Sequence, residues 1–432
     1  MMGAAQLPSE VWVHVFGFLS TADKLSIRSC CKYFKTMVDH WSLWKEYTVF
    51  LKKLCAYTAE FWTTLRLRKI SSVIVQRAHL KEWKRLALSL PNLTTIAVEG
   101  CIDVKAFEIL KQFQHLKRLS IRRCGYGHEL ADNIVHLQQV THFSLCDMHC
   151  APRTEIINAI SKLSHLTSLF YHEGNCPIPR QTLHIMLNRL PHLKHLSLKM
   201  GTQHGSLPDD YFNLSKTIRG FQGERQDGQQ TGLTSLELLD YMDPTLPEEA
   251  LKCLPSLRSL SVAYRDRDMQ PSRCHLKTWL RVLPQLADLN IAKGYLVSAY
   301  AHSIPDTVTS LTLRQVMMQP KDLKALGKRV PGLLHLHFDP CNYNGGSSVG
   351  EIPRHFPQLR TFKMRYYDVP DREFSNLVQL KYLERLEILD AKEPSVRLTD
   401  LVQKLQALTN YRTQIVHSQN HKDPLACHCA HY

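Results

Sequence analysis

LPHLKHLSLKMG, residues 190–201, shows a spacing of apolar residues that returns along most of the 432-residue chain. LPNLTTIAVEGC at residues 90–101 and FQHLKRLSIRRC at residues 113–124 superimpose on it as L-x-x-L-x-x-L-x-L-x-x-C/G. The same frame begins at six further positions and, more weakly, at five others: Leu163, Leu254, Leu283, Val330, Phe356 and Leu380, then Ala59, Leu137, Gln230, Pro305 and Leu405. The sequence therefore predicts about fourteen repeats, most of them 22 to 29 residues apart.

Each repeat is predicted to supply one short strand of a parallel sheet. Within L-x-L the two apolar residues turn into the core and the residue between them points outward, because successive side chains alternate. The chain then returns over the other face, and residues 179–191 and 319–331 show helical spacing there. The pattern resembles leucine-rich repeats, which implies an α/β solenoid with parallel strands on its concave face and helices on its convex face.

A different pattern precedes the repeats. LPSEVWVHVFGFLSTADKLSIRSCCKYFKTMVDHWSLW, residues 7–44, contains three short segments with helical spacing. Pro8 suits a first helical turn, Ser20 or Thr21 can cap a second helix, and a third runs from about Cys31 to Val38. Three helices in under fifty residues bury too little apolar surface to be stable alone. Some of their apolar side chains are therefore expected to contact a partner or a second domain.

Residues 7–44 resemble an F-box. The residues that match the family pattern, in order, are Leu7, Pro8, Glu10, Val15, Phe16, Leu19, Asp23, Leu25, Cys31, Leu43 and Trp44. The sequence departs from the pattern at Ser20, where Pro is common, and at Phe34, where Trp is usual. Together with the repeats, the resemblance is to the F-box/leucine-rich-repeat proteins and covers nearly the whole chain.

This resemblance implies a substrate adaptor rather than an enzyme. In the family, the F-box binds a Skp-type linker protein that attaches to a cullin-RING scaffold, and the repeats hold a protein substrate for ubiquitination. Tethering raises the local concentration of substrate lysines near the ubiquitin thioester. By motif position, the implied linker-binding residues are Leu7, Pro8, Glu10, Val15, Phe16, Leu19 and Leu25. The sequence contains no phosphate-binding glycine loop, G-x-S-x-G or H-E-x-x-H motif that would indicate catalysis.

The charge of the chain keeps a second function open. The formal net charge is +15, and residues 1–50 hold five Lys or Arg against four Asp or Glu, so +14 belongs to the remainder. The alternative is a basic leucine-rich scaffold that binds RNA or another polyanion without a ubiquitin role. Against it, acidic residues interrupt the basic ones, and few aromatic residues accompany them for base stacking.

The outward positions of the predicted strands lean basic. The candidate substrate-binding residues are Arg66, Arg68, Arg118, Arg122, His195, Lys199, Arg314, His335, His337, Lys363, Arg365 and Arg385. Arg forms paired hydrogen bonds with carboxylate or phosphate, so one interpretation is recognition of an acidic or phosphorylated protein segment. The other is the ordinary solvated surface of a basic protein. His335 and His337 share a face but lack a third metal ligand.

The cysteines predict a reducing compartment. Thirteen cysteines are scattered without paired spacing, the first residues do not resemble a secretion signal, and no stretch approaches the ~20 apolar residues of a membrane span. We therefore expect a cytoplasmic or nuclear location. Residues 427–431 read CHCAH, but C-x-C followed by His matches no zinc spacing. No metal or cofactor is predicted.

The predicted organisation has three parts. Residues 1–50 form the F-box helical domain, residues 51–416 the solenoid, and residues 417–432 a flexible tail that contains Cys and His. The distance between the repeats that begin at Leu190 and Gln230 is 40 residues, and the excess, residues 201–232, is rich in Gly and Gln. This excess predicts a loop that leaves the edge of the solenoid.

Overall fold

The computed structural model describes residues 7–100, 105–123, 128–148, 153–174, 176–201, 206–214, 231–267, 269–341, 348–366, 369–389, 395–418, 427 and 429. The chain divides into two compact units, Met1–His165 and Leu166–Tyr432. Most of the predicted loop at 201–232 and of the predicted tail at 417–432 lies outside the described residues. The predicted domain boundaries at residues 50 and 416 stay predictions.

The first unit begins with three helices, as predicted. They are α1 (Ser9–Gly17), α2 (Thr21–Cys30) and α3 (Lys32–Val38), followed by a 3-10 turn at Trp41–Leu43. Ser20 is the cap of α2, because its hydroxyl accepts a hydrogen bond of 3.1 Å from the backbone N–H of Asp23. Cys31 caps α3 in the same way, with its sulfur 3.4 Å from the backbone nitrogen of Phe34.

The rest of the first unit alternates strands and helices. Its elements are β1 (Thr48–Lys52), α4 (Ala59–Leu67), β2 (Ser72–Gln76), α5 (Leu80–Ser89), β3 (Thr95–Glu99), α6 (Ala106–Leu110), β4 (Arg118–Arg122), α7 (His128–Ile134), β5 (His142–Cys146) and α8 (Arg153–Ile160), with a 3-10 turn at Leu54–Ala56. Strands β1 to β5 pair in chain order, all parallel.

The predicted strand in the repeat that begins at Ala59 is wrong. Thr58 accepts a hydrogen bond of 3.3 Å from the backbone N–H of Phe61 and starts α4 instead, which buries Trp62 and Leu65. Arg66 therefore lies on a helix, and Arg68 caps the end of that helix. The strand of this repeat is β2, whose sequence SVIVQ is rich in β-branched residues, which favour strands.

The second unit continues the same pattern. Its elements are β6 (Ser168–His172), α9 (Arg180–Arg189), β7 (His195–Lys199), β8 (Ser235–Tyr241), β9 (Ser259–Arg267), α10 (Leu276–Arg281), β10 (Asp288–Gly294), β11 (Ser310–Met317), α11 (Pro320–Arg329), β12 (His335–Cys341), α12 (Ile352–His355), β13 (Thr361–Arg365), α13 (Asp371–Ser375), β14 (Arg385–Leu389), α14 (Val396–Leu408) and β15 (Gln414–Ser418). Strands β6 to β15 pair in chain order, all parallel.

Short 3-10 segments replace or extend the helices of several repeats. They are Ala250–Cys253, Pro271–Arg273, Val297–Ala299, Ala301–Ser303, Val349–Glu351 and Asn376–Gln379. The last strand begins at Gln414, later than the repeat frame at Leu405 predicts, because α14 continues to Leu408. None of the helices formed by the described residues has the length and apolar character needed to cross a bilayer.

The repeat frame sets which side chains are buried. In β7 the two leucines of L-x-L, Leu196 and Leu198, are buried, and so are Leu190 and Leu193 earlier in the same frame. The predicted α/β repeat fold, with one parallel strand per repeat, is therefore confirmed in each unit. We call the sheet surface formed by the alternate, outward-pointing strand residues the open face; in the second unit it includes His172, Ser197, Glu237, Arg314, His337, Lys363 and Glu387.

Several strands end at or just before a residue in the left-handed region. These residues are Lys53, Arg77, Arg123 and Asp147 and the glycines Gly100, Gly174 and Gly201. Asp240, Lys293 and Gln315 also have positive φ but lie within β8, β10 and β11, where the strand register shifts. Glycine adopts this conformation without a steric penalty, whereas other residues pay a cost there, which explains why glycine occurs near the end of several repeat frames.

Candidate functional site

An apolar surface lies on the first two helices. Val11 and Val15 of α1, with Leu7 just before that helix and Phe18 just after it, recur at helical spacing and are 39% to 74% exposed, and Leu25 on α2 is 48% exposed. We call these five side chains the docking surface. Pro8 and Glu10 are also exposed, and Leu19 is half-buried. Exposed apolar side chains grouped in this way are typical of a surface that binds another protein.

We call the bundle of α1, α2 and α3 the helical module. Phe16 lies inside this module and not on the docking surface. It is 2% exposed, and its ring centre lies 5.6 Å from that of Trp12 and 5.5 Å from that of Phe34. The assignment of Phe16 as a linker-binding residue is therefore corrected, because a buried ring cannot reach a partner while the helices stay folded. Phe34 packs edge-on against Phe16 and serves as the aromatic plug of the module.

A shared carboxylate connects the helical module to α4. Asp39, just after α3, accepts hydrogen bonds of 2.9 Å from Nε of Arg28 and from Nε of Arg68. The guanidinium of Arg68 also lies 3.7 Å from the centre of the Trp44 ring, within the range of a cation–π interaction. Arg68 is buried, so its role is to join α3 to α4, and its assignment as a substrate-binding residue is corrected.

The electrostatics of this cluster favour the ionised carboxylate. Burial by itself would raise the pKa of Asp39, but the hydrogen bonds and positive charges of Arg28 and Arg68 outweigh it, and the pKa lies below its usual value. Arg68 is buried to a similar degree, and burial lowers its pKa while Asp39 counteracts that effect. Asp39 and Arg68 therefore each favour the charged form of the other.

The remaining candidate substrate-binding residues lie on strands. Arg118 and Arg122 are on β4 of the first unit, where Arg118 is exposed and Arg122 is buried with its Nε 3.1 Å from the Ser120 hydroxyl. Those of the second unit are on β7, β11, β12, β13 and β14: His195, Lys199, Arg314, His335, His337, Lys363, Arg365 and Arg385. Their role in binding a substrate stays a prediction.

Acidic neighbours neutralise much of the predicted basic surface. Lys363 forms an ion pair of 2.9 Å with Glu387, and Arg365 forms one of 3.1 Å with Asp339 on the adjacent strand. Arg385 lies 3.8 Å from Glu387 as well. The sequence placed these acids and bases on the same face but did not show that they pair across neighbouring strands.

Arg314 and His337 differ from these paired residues. Nε of Arg314 and Nε2 of His337 are both buried and have no hydrogen-bond partner among the described residues. Burial, with the positive charges of Lys363 and Arg314, lowers the pKa of His337 to about 4, so this imidazole is neutral at pH 7. His337 lines a shallow cavity of about 290 Å³, the open-face groove, together with Ser310, Leu311, Thr312, His335, Leu336, Thr361, Phe362, Lys363, Arg385 and Glu387.

A second cluster on the open face involves the C-terminal segment. His172 at the end of β6 and Ser197 on β7 point outward from the sheet, yet they are 2% and 0% exposed. Nδ1 of His172 lies 2.8 Å from the sulfur of Cys427, and the Cys427 sulfur accepts a hydrogen bond of 3.1 Å from the backbone N–H of Cys429. The Nδ1 atom and the two sulfurs all lie within 4.8 Å of one another.

Hydrogen bonds on the other side of the ring fix the orientation of His172. Nε2 lies 2.7 Å from the Ser197 hydroxyl, which donates its own hydrogen to Glu237 at 2.5 Å. The Ser197 oxygen must then accept from Nε2–H, so a neutral His172 carries its hydrogen on Nε2 and turns the Nδ1 lone pair toward the sulfurs. Burial lowers the pKa of His172, but the hydrogen bonds to Cys427 and Cys429 outweigh it and raise the pKa to about 9.

The sequence indicated this cluster only in part. The C-x-C pair and the outward position of His172 were both visible, but 255 positions separate His172 from Cys427. Only the return of the chain to β6 brings them together. A histidine that follows an L-x-Y strand pattern and is buried on an open sheet face has no recognisable signal in a single sequence.

Comparisons with known proteins bear on the first helices and on the fold. Residues 4–49 match the F-box-like family model. No curated protein sequence matches the chain. Similar solved structures include an internalin from Listeria monocytogenes, with 12% identity, a TM-score of 0.38 and coverage of 77% of this chain and 82% of that one. Another is the complex of TLR13 with ssRNA13, with 15% identity, a TM-score of 0.32 and coverage of 74% of this chain and 46% of that one.

Proposed function

We propose that the chain is the substrate adaptor of a Skp–cullin–F-box ubiquitin ligase. In this proposal the helical module binds a Skp-type linker protein, and the repeats bind a protein substrate. The observation that carries it is the exposure of the docking surface on helices that fall within the F-box-like match at residues 4–49. We further propose that the chain acts in the cytoplasm, the nucleus or both, where its thiols stay reduced.

The docking surface is suited to a protein partner. Its apolar side chains would leave water on binding, at about 25 cal/mol per Å² of apolar area buried. Phe18, the most exposed of them at 74%, adds an aromatic ring of the kind that often anchors an interface. Pro8, Glu10 and Leu19 complete the proposed linker-binding set, since they accompany Leu7, Val15 and Leu25 in the motif.

The open-face groove is the proposed contact for the substrate. Because Lys363, Arg365 and Arg385 already pair with acidic neighbours, they offer little free charge to a ligand. Arg314 is different, since its Nε is buried without a hydrogen-bond partner in the described part of the chain. Arg314 lies on β11, the strand that also supplies the groove residues Ser310 and Thr312. A substrate segment that extends from the groove and places a carboxylate, phosphate or carbonyl oxygen beside Arg314 would satisfy this donor.

The shared carboxylate of Asp39 supports the proposed role within the first unit. It joins α2 through Arg28 and α4 through Arg68 to the end of α3, and we expect these contacts to restrict motion between the linker-bound helices and the first strands. Catalysis by proximity benefits from such restricted motion, because a flexible connection lowers the effective concentration of substrate lysines at the ubiquitin thioester.

Co-purification with a Skp-type linker protein tests the proposal. The full chain, co-expressed with the linker, is expected to elute with it as a stable complex. Leu7→Ala with Pro8→Ala should abolish that complex and leave the circular dichroism spectrum unchanged. The matched control is Leu67→Ala with Leu88→Ala, which removes two exposed leucines, 62% and 82% exposed, outside residues 4–49. Full binding by the Leu7/Pro8 variant would contradict the proposal.

A second experiment addresses the ubiquitin role. Proteins captured by the chain from cells with the proteasome and neddylation inhibited are compared with those captured by Arg314→Ala. A substrate should be captured by the wild type, reduced with Arg314→Ala, and stabilised when the Leu7/Pro8 variant replaces the wild type. If a captured protein has the same half-life in cells with wild type and in cells with the Leu7/Pro8 variant, the chain is a binding scaffold without a role in degradation.

A further inference from the structure

We propose that His172, Cys427 and Cys429 bind a thiophilic divalent cation, with Zn²⁺ as the best fit, and that this site fastens the C-terminal segment to the open face at β6 to β8. The inference is independent of the proposed function, since it concerns neither the docking surface nor the open-face groove. It rests on the donor atoms, on the hydrogen bonds behind the histidine and on the burial of the cluster.

The donor atoms suit zinc. One imidazole nitrogen and two cysteine sulfurs are a common part of tetrahedral zinc sites, and a further ligand or water completes the four. With Zn–S distances of about 2.3 Å and Zn–N distances of about 2.0–2.1 Å, tetrahedral donor atoms lie about 3.5–3.8 Å apart. Here all three atoms lie within 4.8 Å of one another, and Nδ1 is 2.8 Å from the Cys427 sulfur. A shift of less than about 1 Å admits the cation.

The hydrogen bonds behind His172 match those of a metal ligand. A histidine that binds a metal through one nitrogen usually donates a hydrogen bond from the other, which fixes the ring and makes the ligand more basic. Here Nε2–H donates to Ser197 and Ser197 donates to Glu237, so the chain of donors ends on a carboxylate. When a cation displaces the Nδ1 proton, the Nδ1 lone pair faces the Cys427 sulfur at 2.8 Å.

The sulfurs also occupy a prepared position. The backbone N–H of Cys429 donates a hydrogen bond of 3.1 Å to the Cys427 sulfur, which holds the two cysteines close together before any cation binds. Cys429 itself packs against Leu239, Ala263 and Ala292 on three successive strands. Burial of His172 and Ser197 on a sheet face that otherwise meets solvent follows from this arrangement, because the C-terminal cysteines lie over them.

Once the two cysteines bind a metal as thiolates, a positive charge must lie between them, because two negative sulfurs beside a buried imidazole repel one another. A proton on Nδ1 is one solution and a metal ion is the other, and both use the same lone pair. The metal solution has the advantage that one ion serves all three donors at once, whereas a single proton makes one hydrogen bond at a time.

The test is the metal content of the full chain. The protein is purified under reducing conditions, supplied with one equivalent of Zn²⁺ and dialysed against a weak chelator. We expect about one zinc per wild-type chain, and less than a tenth of that for Cys427→Ser with Cys429→Ser. The matched control, Cys253→Ser with Cys341→Ser, removes two half-buried thiols elsewhere in the second unit and should retain the zinc. Wild type that holds no zinc against the chelator would overturn the inference.

Two further measurements separate ligation from folding. Co²⁺ in place of zinc should give the sulfur-to-cobalt charge-transfer band and the intense visible bands of a tetrahedral site, and a wild-type spectrum without them would count against thiolate ligation. Glu237→Gln should weaken zinc affinity about 10- to 100-fold while the fold is kept. Asp288→Asn, a carboxylate change on the open face of β10, should leave affinity unchanged. Equal affinity in both variants would remove the assigned role of Glu237 in positioning His172.

Discussion

Arg68 makes two contacts with the same oxygen of Asp39, with Nε at 2.9 Å and Nη2 at 2.7 Å. Arg28 bonds to that carboxylate as well, at 2.9 Å, so one acidic side chain serves two helices of the module and the end of α4. The side chains of Asp39 and Arg68 are only 10% and 9% exposed. Removal of either one leaves a buried charge without its partner, which is far more costly than the loss of a surface ion pair.

Asp39→Asn should therefore destabilise the first unit. The change keeps the shape of the side chain but leaves the Arg68 guanidinium buried and uncompensated, with an expected loss of about 3–5 kcal/mol in the free energy of unfolding. Urea denaturation measures this loss. The control is Glu60→Gln, whose exposed ion pair with Lys35 also bridges α3 and α4, and which should change stability by no more than about 0.5 kcal/mol. Equal effects of the two substitutions would contradict the role of burial.

The same carboxylate predicts a dependence on pH. Because the pKa of Asp39 is lower in the folded chain than in the unfolded one, its contribution is complete above the unfolded value of about 3.9. It is lost as pH falls through the lower folded-state pKa. The stability difference between wild type and Asp39→Asn should accordingly shrink in that acidic range and stay constant above about pH 5. A constant difference down to the lowest measurable pH would be inconsistent with this assignment.

Two adjacent residues of α1 should behave in opposite ways. Phe16→Ala removes a buried ring that packs on Trp12 and Phe34, and it should destabilise the helical module by about 3–5 kcal/mol. Val15→Ala removes methyl groups from a side chain that is 41% exposed, and it should change stability by less than about 1 kcal/mol. Thermal unfolding of the two variants checks this. Weakened linker binding with Val15→Ala at unchanged stability would separate the docking surface from the core.

His337 should make the open-face groove sensitive to acid. Its folded-state pKa of about 4 lies below its ordinary value of 6.5, so between these values the unfolded chain binds more protons. The stability contributed by the neutral ring is complete above about pH 6.5 and is lost as pH falls toward 4, by roughly 1–3 kcal/mol. Amide hydrogen exchange in β12 should report this loss in wild type and not in His337→Gln. His335→Gln, an exposed histidine on the same strand, should retain the wild-type response.

Gly294 should tolerate no side chain. Its φ is +81°, and an added Cβ would lie 2.8 Å from Cγ of the buried Tyr264 ring. Gly294→Ala should therefore destabilise the second unit by about 2–4 kcal/mol, through backbone strain and overpacking. Gly332→Ala, where nothing lies within 4 Å of an added Cβ, should stay within about 0.5 kcal/mol of wild type. Chemical denaturation compares the two, and similar losses would show that the Tyr264 contact is unimportant.

The sequence predicted the repeats well because their signal is long and redundant. A strand frame that recurs at Leu90, Leu190 and Leu254 is hard to produce by chance, and each copy supports the others. The single weak copy at Ala59 had no such support. There, the L-x-L pattern fits a helical turn as easily as a strand, and the hydrogen bond from the backbone N–H of Phe61 to the Thr58 side chain favours the helix. A β-branched run such as SVIVQ carried the strand instead.

The candidate sites were predicted less completely, for a different reason. Motif position assigned Val15, Phe16 and Leu25 alike to linker binding, but it could not separate the exposed Val15 and Leu25 from Phe16, whose burial depends on the packing of three helices. Arg68 was an outward residue in the wrong frame and proved to be the partner of Asp39. Ion pairs such as that of Lys363 with Glu387 depend on the register of neighbouring strands, and the positions of charged residues in the sequence do not specify that register.

The contact between His172 and Cys427 changes how the second unit can come apart. An array in which each strand pairs with its chain neighbours normally unravels from its free end, repeat by repeat, because the last repeat has a neighbour on one side only. Here Cys427, which lies beyond β15 in the sequence, contacts His172 of β6, 255 positions earlier in the chain. The contact closes a long loop of chain, so unfolding that begins at the last repeat first requires that the contact between Cys427 and His172 be broken.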